Sequence, residues 1–125
     1  MKIFYYYVSI INNNKMTYFS EFKNLLHSCQ ITSDSNWNKS HYHAYIGMKL
    51  LVHIECMTYA ISELDLIDEY TKLLHLIVQY PNVLKEFQSI KPLIVAGNNY
   101  IEEKQSKEEA MILIEGLREL GLLDY

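Results

Sequence analysis

The sequence predicts an all-α protein, a compact bundle of four to five helices around a central buried helix at about residues 36–64, with the N-terminal segment uncertain. Apolar side chains recur at three- and four-residue steps through most of the chain, as they do on helices that face a core. Half of the 125 residues are apolar and 21% are charged, which is typical of a globular protein. A chain of this length can bury roughly two thirds of its unfolded surface in one core.

The start of the chain stands apart from this pattern. Ile3 to Ile11 is rich in aromatic and β-branched residues and has the propensity of a strand, but no second strand is predicted that could pair with it. No cleavage site of small residues follows, so a signal peptide is not indicated. Met16 could also serve as the initiator. We therefore predict residues 1–15 as an uncertain leader or extended segment and residues 16–125 as a single helical domain.

The first helix of that domain is predicted from Thr17 to Gln30. Thr17 can cap it, and Glu21 places an acid in the first turn, where the helix dipole favours negative charge. The following loop, residues 31–38, contains the single tryptophan. The next helix could begin as early as residue 36. Three residues of the loop could cap it: Ser33, Asp34 and Ser35.

The central helix is predicted to be apolar on most of its sides. Its core-facing stripe consists of His43, Ile46, Leu50, His53, Met57, Ala60 and Leu64. A second line on another side consists of Tyr45, Met48, Val52, Cys56 and Tyr59. Because few charges lie between these lines, we expect protein rather than solvent to surround the helix. Gly47 costs about 1 kcal/mol relative to alanine in a helix, which indicates either a close helix–helix approach or simple sequence drift.

Two helices are predicted next, one on each side of a proline. The first runs over residues 66–80, with Asp65 as its N-cap, and Pro81 ends it. The second has its apolar residues between Val83 and Ile90, and Pro92 interrupts it.

The last helix has the strongest start signal in the chain. Ser106 and Glu109 fit the S-x-x-E capping box, and Gly121 suits the residue after the helix end. Before it, the Gly-Asn-Asn run at residues 97–99 predicts a break in helical structure. No apolar run is long enough and sufficiently free of charge to predict a membrane span.

The net charge of −4 lies entirely in the last quarter of the chain. Residues 1–98 carry eight acids and eight bases, whereas residues 99–125 carry seven acids and three bases. A single arginine, Arg118, argues against nucleic-acid recognition, which favours the guanidinium group. The two cysteines, Cys29 and Cys56, are too few for a disulfide scaffold. We expect both to be buried and reduced, with one long-range bridge as the open alternative.

The histidines are the first candidates for chemistry. His43 and His53 lie about 15 Å apart along a helix, so they cannot bind one metal ion together. The sequence lacks the paired Glu-x-x-His motifs of metal-binding bundles. It also contains no G-x-S-x-G motif and no phosphate-binding glycine loop. We therefore predict that the protein is not an enzyme, that it needs no metal or cofactor, and that its histidines bond to backbone groups or tyrosine hydroxyls.

The acidic last quarter is the predicted site of partner binding. An anionic surface attracts a basic protein and speeds its encounter, and tyrosines at its edge can act as amphipathic anchors. The residues that we predict to contact the partner are Tyr100, Glu102, Glu103, Glu108, Glu109, Glu115, Glu119 and Tyr125. A solvated helix face with capping acids would explain the same charges.

The sequence thus favours a small, soluble, cytoplasmic protein-binding module. Its sharpest form is an inhibitor or immunity-type protein that neutralises a basic, nuclease-like toxin or effector, because proteins that hold phosphate must be basic. The alternative is a helical ligand-sensing or regulatory domain with a pocket lined by tyrosines and histidines. Homodimerisation through a tyrosine-rich face is compatible with both.

Overall fold

The computed structural model describes residues 17–104 and 108–123, and within these ranges the structure is helical, without strands. The all-α prediction is confirmed. Predictions that concern residues 1–16, Ser106 and Tyr125 lie outside the described residues. The α-helices are α1 (Tyr18–Ser28), α2 (His41–Thr58), α3 (Glu63–Gln79), α4 (Val83–Glu86), α5 (Lys91–Lys104) and α6 (Glu108–Glu119), with short 3-10 helices at Ile31–Ser33 and Gln88–Ile90.

Helix α1 begins and ends close to where the sequence places it. The Thr17 side chain accepts a hydrogen bond from the backbone N–H of Ser20 at 3.0 Å, as an N-cap does. The helix packs against α5 and α2. Its Phe22 is fully buried, with its ring edge-on to that of Tyr70 at 5.2 Å between centroids.

Helix α2 is shorter than predicted at both ends. Ser40 caps it instead of a residue at 33–35, and it ends at Thr58, so Leu64 of the predicted core stripe lies exposed in α3. The Ser40 hydroxyl accepts from the His43 N–H at 3.2 Å. The preceding loop uses its polar side chains elsewhere. Asp34 accepts a hydrogen bond from Ser89, and Asn36 donates one to the carbonyl of Glu86, both at 2.6 Å. These tertiary contacts keep the loop out of the helix.

The close approach predicted at Gly47 exists, but its partner is the ring of Trp37 and not a second helix. A Cβ atom at residue 47 would overlap that ring. Gly47 therefore allows the ring of Trp37 to lie against α2, which brings the loop close to the helix backbone.

Helix α2 lies at the surface with one side buried, so the expectation that protein surrounds it is wrong. Its core side consists of Ile46, Gly47, Leu50, Ile54 and Met57. The second apolar line faces outwards. Both α1 and α3 pack against α2, and neither covers the remaining side. Where neighbouring helices pack is a tertiary property, and apolar content alone does not reveal it.

Helix α3 is buried along more of its length than α2 and packs against both α2 and α6. Ser62 is its N-cap, since the Ser62 hydroxyl accepts from the N–H of Asp65 at 3.1 Å. The prediction of Asp65 as the cap is therefore wrong by three residues. The helix ends at Gln79, before Pro81, as predicted. Its buried residues are Leu66, Ile67, Tyr70, Thr71, Leu73, Leu74, Leu76 and Ile77.

The break predicted at residues 97–99 does not occur, because these residues lie within α5. Gly97 leaves room for the ring of Tyr70, and Asn98 is buried beside the same side chain. Pro92 lies in the first turn of α5, where its missing N–H has no helical partner to lose. The residues that predict a break instead allow the Tyr70 side chain of α3 to reach the backbone of α5.

The C-terminal end of α6 has the predicted geometry. Gly121 has a positive φ of 76°. Its N–H donates to the carbonyl of Arg118 at 2.9 Å, and the N–H of Leu122 donates to that of Leu117 at 3.0 Å. This pair of bonds is the Schellman motif.

The buried side chains of α1 to α6 form one hydrophobic cluster. Among the described helices, none combines the length and apolar character that a membrane crossing requires.

Candidate partner-binding surfaces

Tyr100 of the predicted site is fully buried and therefore offers no exposed anchor. Its ring packs against those of Phe19 and Phe22. Its hydroxyl donates to Glu63 Oε1 at 2.5 Å, and Lys104 Nζ lies 3.2 Å from the same oxygen. Burial, followed by the bond to Glu63, raises the pKa of the Tyr100 hydroxyl. The bond from Tyr100, followed by that from Lys104, lowers the pKa of Glu63.

Glu102 is paired within the molecule, so its charge is compensated. Arg118 Nη1 lies 2.7 Å from Glu102 Oε2, and Arg118 Nη2 lies 3.1 Å from Glu102 Oε1. This two-point contact joins α5 to α6. Glu115 Oε1 lies 3.8 Å from Arg118 Nη1 on the edge of the same group. The single arginine of the chain thus helps to hold α5 against α6.

Glu109 lies at the side of α6 that faces α3. Its Oε2 is 2.6 Å from His75 Nε2, and both side chains are about half exposed. Glu103, near the end of α5, is exposed. The remaining predicted residue, Tyr125, lies outside the described part of the chain.

Three predicted glutamates do share one exposed surface. Glu108, Glu115 and Glu119 are seven and four residues apart on α6 and are all exposed, which places them on one outer side of the helix. Ile112 lies between them and is 63% exposed. We call these four residues the acidic face. Sequence spacing predicts its carboxylates, but the exposure of Ile112 is apparent only in the folded protein.

A second candidate surface is the outer side of α2, which we call the α2 stripe: Tyr45, Met48, Val52, Cys56 and Tyr59. Tyr45 is 52% exposed and Tyr59 is 74% exposed, and the other three are exposed too. The sequence identifies all five residues, but their predicted environment is wrong because they face solvent. Contiguous exposed apolar side chains are typical of interaction sites.

A shallow cleft of about 400 Å³ lies along the N-terminal half of the α2 stripe. Lys49 lies beside it, with its Nζ 5.0 Å from the centre of the Tyr45 ring, a cation–π arrangement. His53 forms part of the wall, and its Nδ1 is 2.6 Å from Glu69 Oε2 of α3. The residues that line the cleft are Tyr45, Met48, Lys49, Val52 and His53.

Three of the five histidines, His43, His53 and His75, pair with glutamates of other helices and not with the backbone groups or tyrosine hydroxyls that we predicted. Besides His53–Glu69 and His75–Glu109, Nε2 of His43 lies 3.4 Å from Oε2 of Glu86 in α4. In residues 17–104 and 108–123, no three metal-ligating side chains come together. The three pairs join α2 to α3, α3 to α6 and α2 to α4, which gives them a structural role.

The cysteines are both free. Cys56 is exposed, so its predicted burial is wrong, because it lies on the outer side of α2. Cys29 is half-buried near the carbonyl of Ser89, and burial raises the pKa of its thiol.

No family model, no curated protein and no solved structure matches this chain. Its function is therefore argued from its own surfaces.

Proposed function

We propose that the protein is a small protein-binding module that recognises a basic protein through the acidic face. The observation that carries this proposal is the arrangement of three exposed carboxylates around one exposed isoleucine on α6. Two basic side chains near this helix are held mainly by glutamates outside the face. Arg118 pairs with Glu102 at 2.7 Å and approaches Glu115 only at 3.8 Å, and Lys104 pairs with Glu63. The face therefore presents a net negative field to a partner.

Each part of the acidic face has a distinct physical role in this proposal. Exposed rim charges accelerate encounter with an oppositely charged protein but add little affinity in water. Ile112 supplies apolar area that loses contact with water when the partner binds. Leu120, which directly follows α6, is 70% exposed and offers further apolar surface at the end of the helix. Steering and affinity thus come from different side chains of the same region.

The finer form of the proposal is an inhibitor or immunity-type protein that neutralises a basic, nuclease-like toxin or effector in the cytoplasm. Such a target must carry positive charge to hold phosphate. A negatively charged face can cover that positive charge and exclude the nucleic acid. Catalysis by the protein itself is not needed for this role.

The test begins with co-purification from the native cell and identification of the partner by mass spectrometry. The partner is expected to be basic. Reversal of two charges, Glu108→Lys with Glu119→Lys, is expected to lower the association rate constant about tenfold at low salt. The matched control is Glu21→Lys with Glu55→Lys, which changes the net charge by the same amount. Like Glu108 and Glu119, these residues lie in the first turn of a helix, α1, and in the last turn of a helix, α2.

The control pair is expected to leave the association rate within about twofold of the unchanged protein. Equal effects of the two double variants would contradict binding through the acidic face. Protection of cells from the identified partner, measured as survival during its expression, tests the inhibitor role separately.

A helical ligand-sensing domain is the second candidate, and the cleft beside Tyr45 and His53 favours it. An aromatic ring, a cation and a histidine could bind a small planar anion. Ligand-dependent thermal stabilisation that is lost in Tyr45→Ala would support this function over the first.

A further inference from the structure

We infer that the α2 stripe is the contact between two copies of this chain, which pack their α2 helices antiparallel about a two-fold axis at Val52. The inference does not depend on the proposed function, because the acidic face is on α6. Helix α3 contacts both α2 and α6, but through different residues. Glu69 pairs with His53 of α2, and His75 pairs with Glu109 of α6. Each surface can therefore be changed without altering the other.

The spacing of the α2 stripe is symmetric about its centre. Tyr45 and Tyr59 lie seven residues on either side of Val52, and Met48 and Cys56 lie four residues on either side. A two-fold interface must be self-complementary, since the same patch meets itself. Antiparallel packing places Tyr45 at the level of Tyr59 of the second copy. Steps of three and four residues are also those of a helix–helix seam.

The exposed area is sufficient for such a contact. Ile61, in the turn after α2, and Leu64, in the first turn of α3, lie within five residues of Tyr59 and are 94% and 64% exposed. Together with the exposed parts of the stripe, they offer on the order of 500 Å² of apolar surface. Because about 60% of an interface is apolar, this corresponds to roughly 800 Å² on each copy, the size of a standard interface.

The charges beside the stripe permit this arrangement. Lys49 and Glu55 lie three residues on either side of Val52, on opposite edges of the stripe. In the antiparallel pair, each would be separated from the same residue of the second copy by about 9 Å along the axis. At physiological salt, repulsion between charges at the protein surface is largely screened at this distance. The seam itself contains no formal charge.

Sedimentation velocity between about 5 and 500 µM tests the inference, with a dissociation constant expected on the order of 10 µM. The mass is expected to rise from 14.8 kDa to twice that value. Val52→Lys puts two ammonium groups at the axis and is expected to weaken the dimer at least about 100-fold. Val78→Lys is the matched control, because Val78 is an exposed valine of α3 outside the stripe, and it should leave the dimer unchanged.

Disulfide trapping tests the antiparallel register. Met48→Cys should cross-link to the native Cys56 of the second copy, because the two residues lie at one level within about 7 Å between Cα atoms. The native protein should form no such link, since its two Cys56 residues would be about 12 Å apart along the axis. Val52→Lys, Val78→Lys and Met48→Cys are first checked for folding by circular dichroism. A monomer at 500 µM overturns the inference, as does a dimer that Val52→Lys leaves intact or that Met48→Cys fails to trap.

Discussion

The ring of Tyr70 on α3 occupies the space that a side chain at Gly97 on α5 would require. The Tyr70 hydroxyl lies 2.6 Å from Asn98 Oδ1 and 3.0 Å from the carbonyl oxygen of Ile94. One aromatic side chain thus fills the gap over a glycine and bonds to the helix on both sides of it. This relationship explains why α5 continues through a Gly-Asn-Asn run.

Gly97→Ala is expected to destabilise the protein by about 1–3 kcal/mol, because its Cβ would displace a fully buried ring. Gly116→Ala is the matched control. Gly116 also lies within a helix, but nothing lies within 4 Å of its Cβ position. That substitution should stabilise the protein by about 0.5–1 kcal/mol through lower chain entropy. Urea denaturation measures both, and equal effects would contradict close packing at Gly97.

Tyr70→Phe is expected to cost about 1–3 kcal/mol, because it removes the hydroxyl partner of the buried Asn98 amide. Asn98 Nδ2 is already buried without a hydrogen-bond partner in the described structure. The double variant Tyr70→Phe with Asn98→Leu should therefore be more stable than Tyr70→Phe alone, since no polar atom of either side chain remains. A double-mutant cycle in urea gives the coupling energy. Additive effects would argue against the hydrogen bond.

The stability of the protein is expected to fall in acid partly through Glu63. In the folded protein the pKa of Glu63 lies below its ordinary value of 4.5. The hydrogen bond from Tyr100 is the largest cause, and the bond from Lys104 is the next. A lowered folded pKa contributes stability that is present above pH 4.5 and lost as the pH falls through the folded value. Between about pH 5 and pH 3, Glu63→Gln should therefore lose less stability than the unchanged protein.

Chemical denaturation at a series of pH values measures this difference. Tyr100→Phe removes the donor to Glu63 and should also flatten the dependence on pH, while it retains the buried ring. Parallel stability curves for the unchanged protein and Glu63→Gln would contradict a role for this carboxylate.

Signals that act within a few residues of each other predict the local structure well. Thr17 caps α1, Pro81 follows the end of α3, and Gly121 ends α6 with a positive φ, as their sequences indicate. Each of these effects depends on backbone groups no more than one turn away. The prediction fails where a distant partner decides, as at Ser40, which caps α2 because Asp34 and Asn36 are engaged by the segment before α5.

The candidate surfaces divide in the same way. Helical spacing predicts that Glu108, Glu115 and Glu119 share one side of α6. In the structure all three side chains are exposed on that side. It cannot predict that Glu102 pairs with Arg118 or that Tyr100 is buried, because both depend on the packing of α5 against other helices.

The sequence by itself determines the all-α class, several helix ends and the position of the negative charge, because periodicity, capping and charge are local properties. Tertiary structure alone decides which apolar side of each helix is covered. On α2, Ile46 and Leu50 are buried, whereas Tyr45 and Val52 on the same helix remain in solvent. The hydrophobic effect favours burial of apolar surface on any side of the helix, and the positions of α1 and α3 determine which pair is covered.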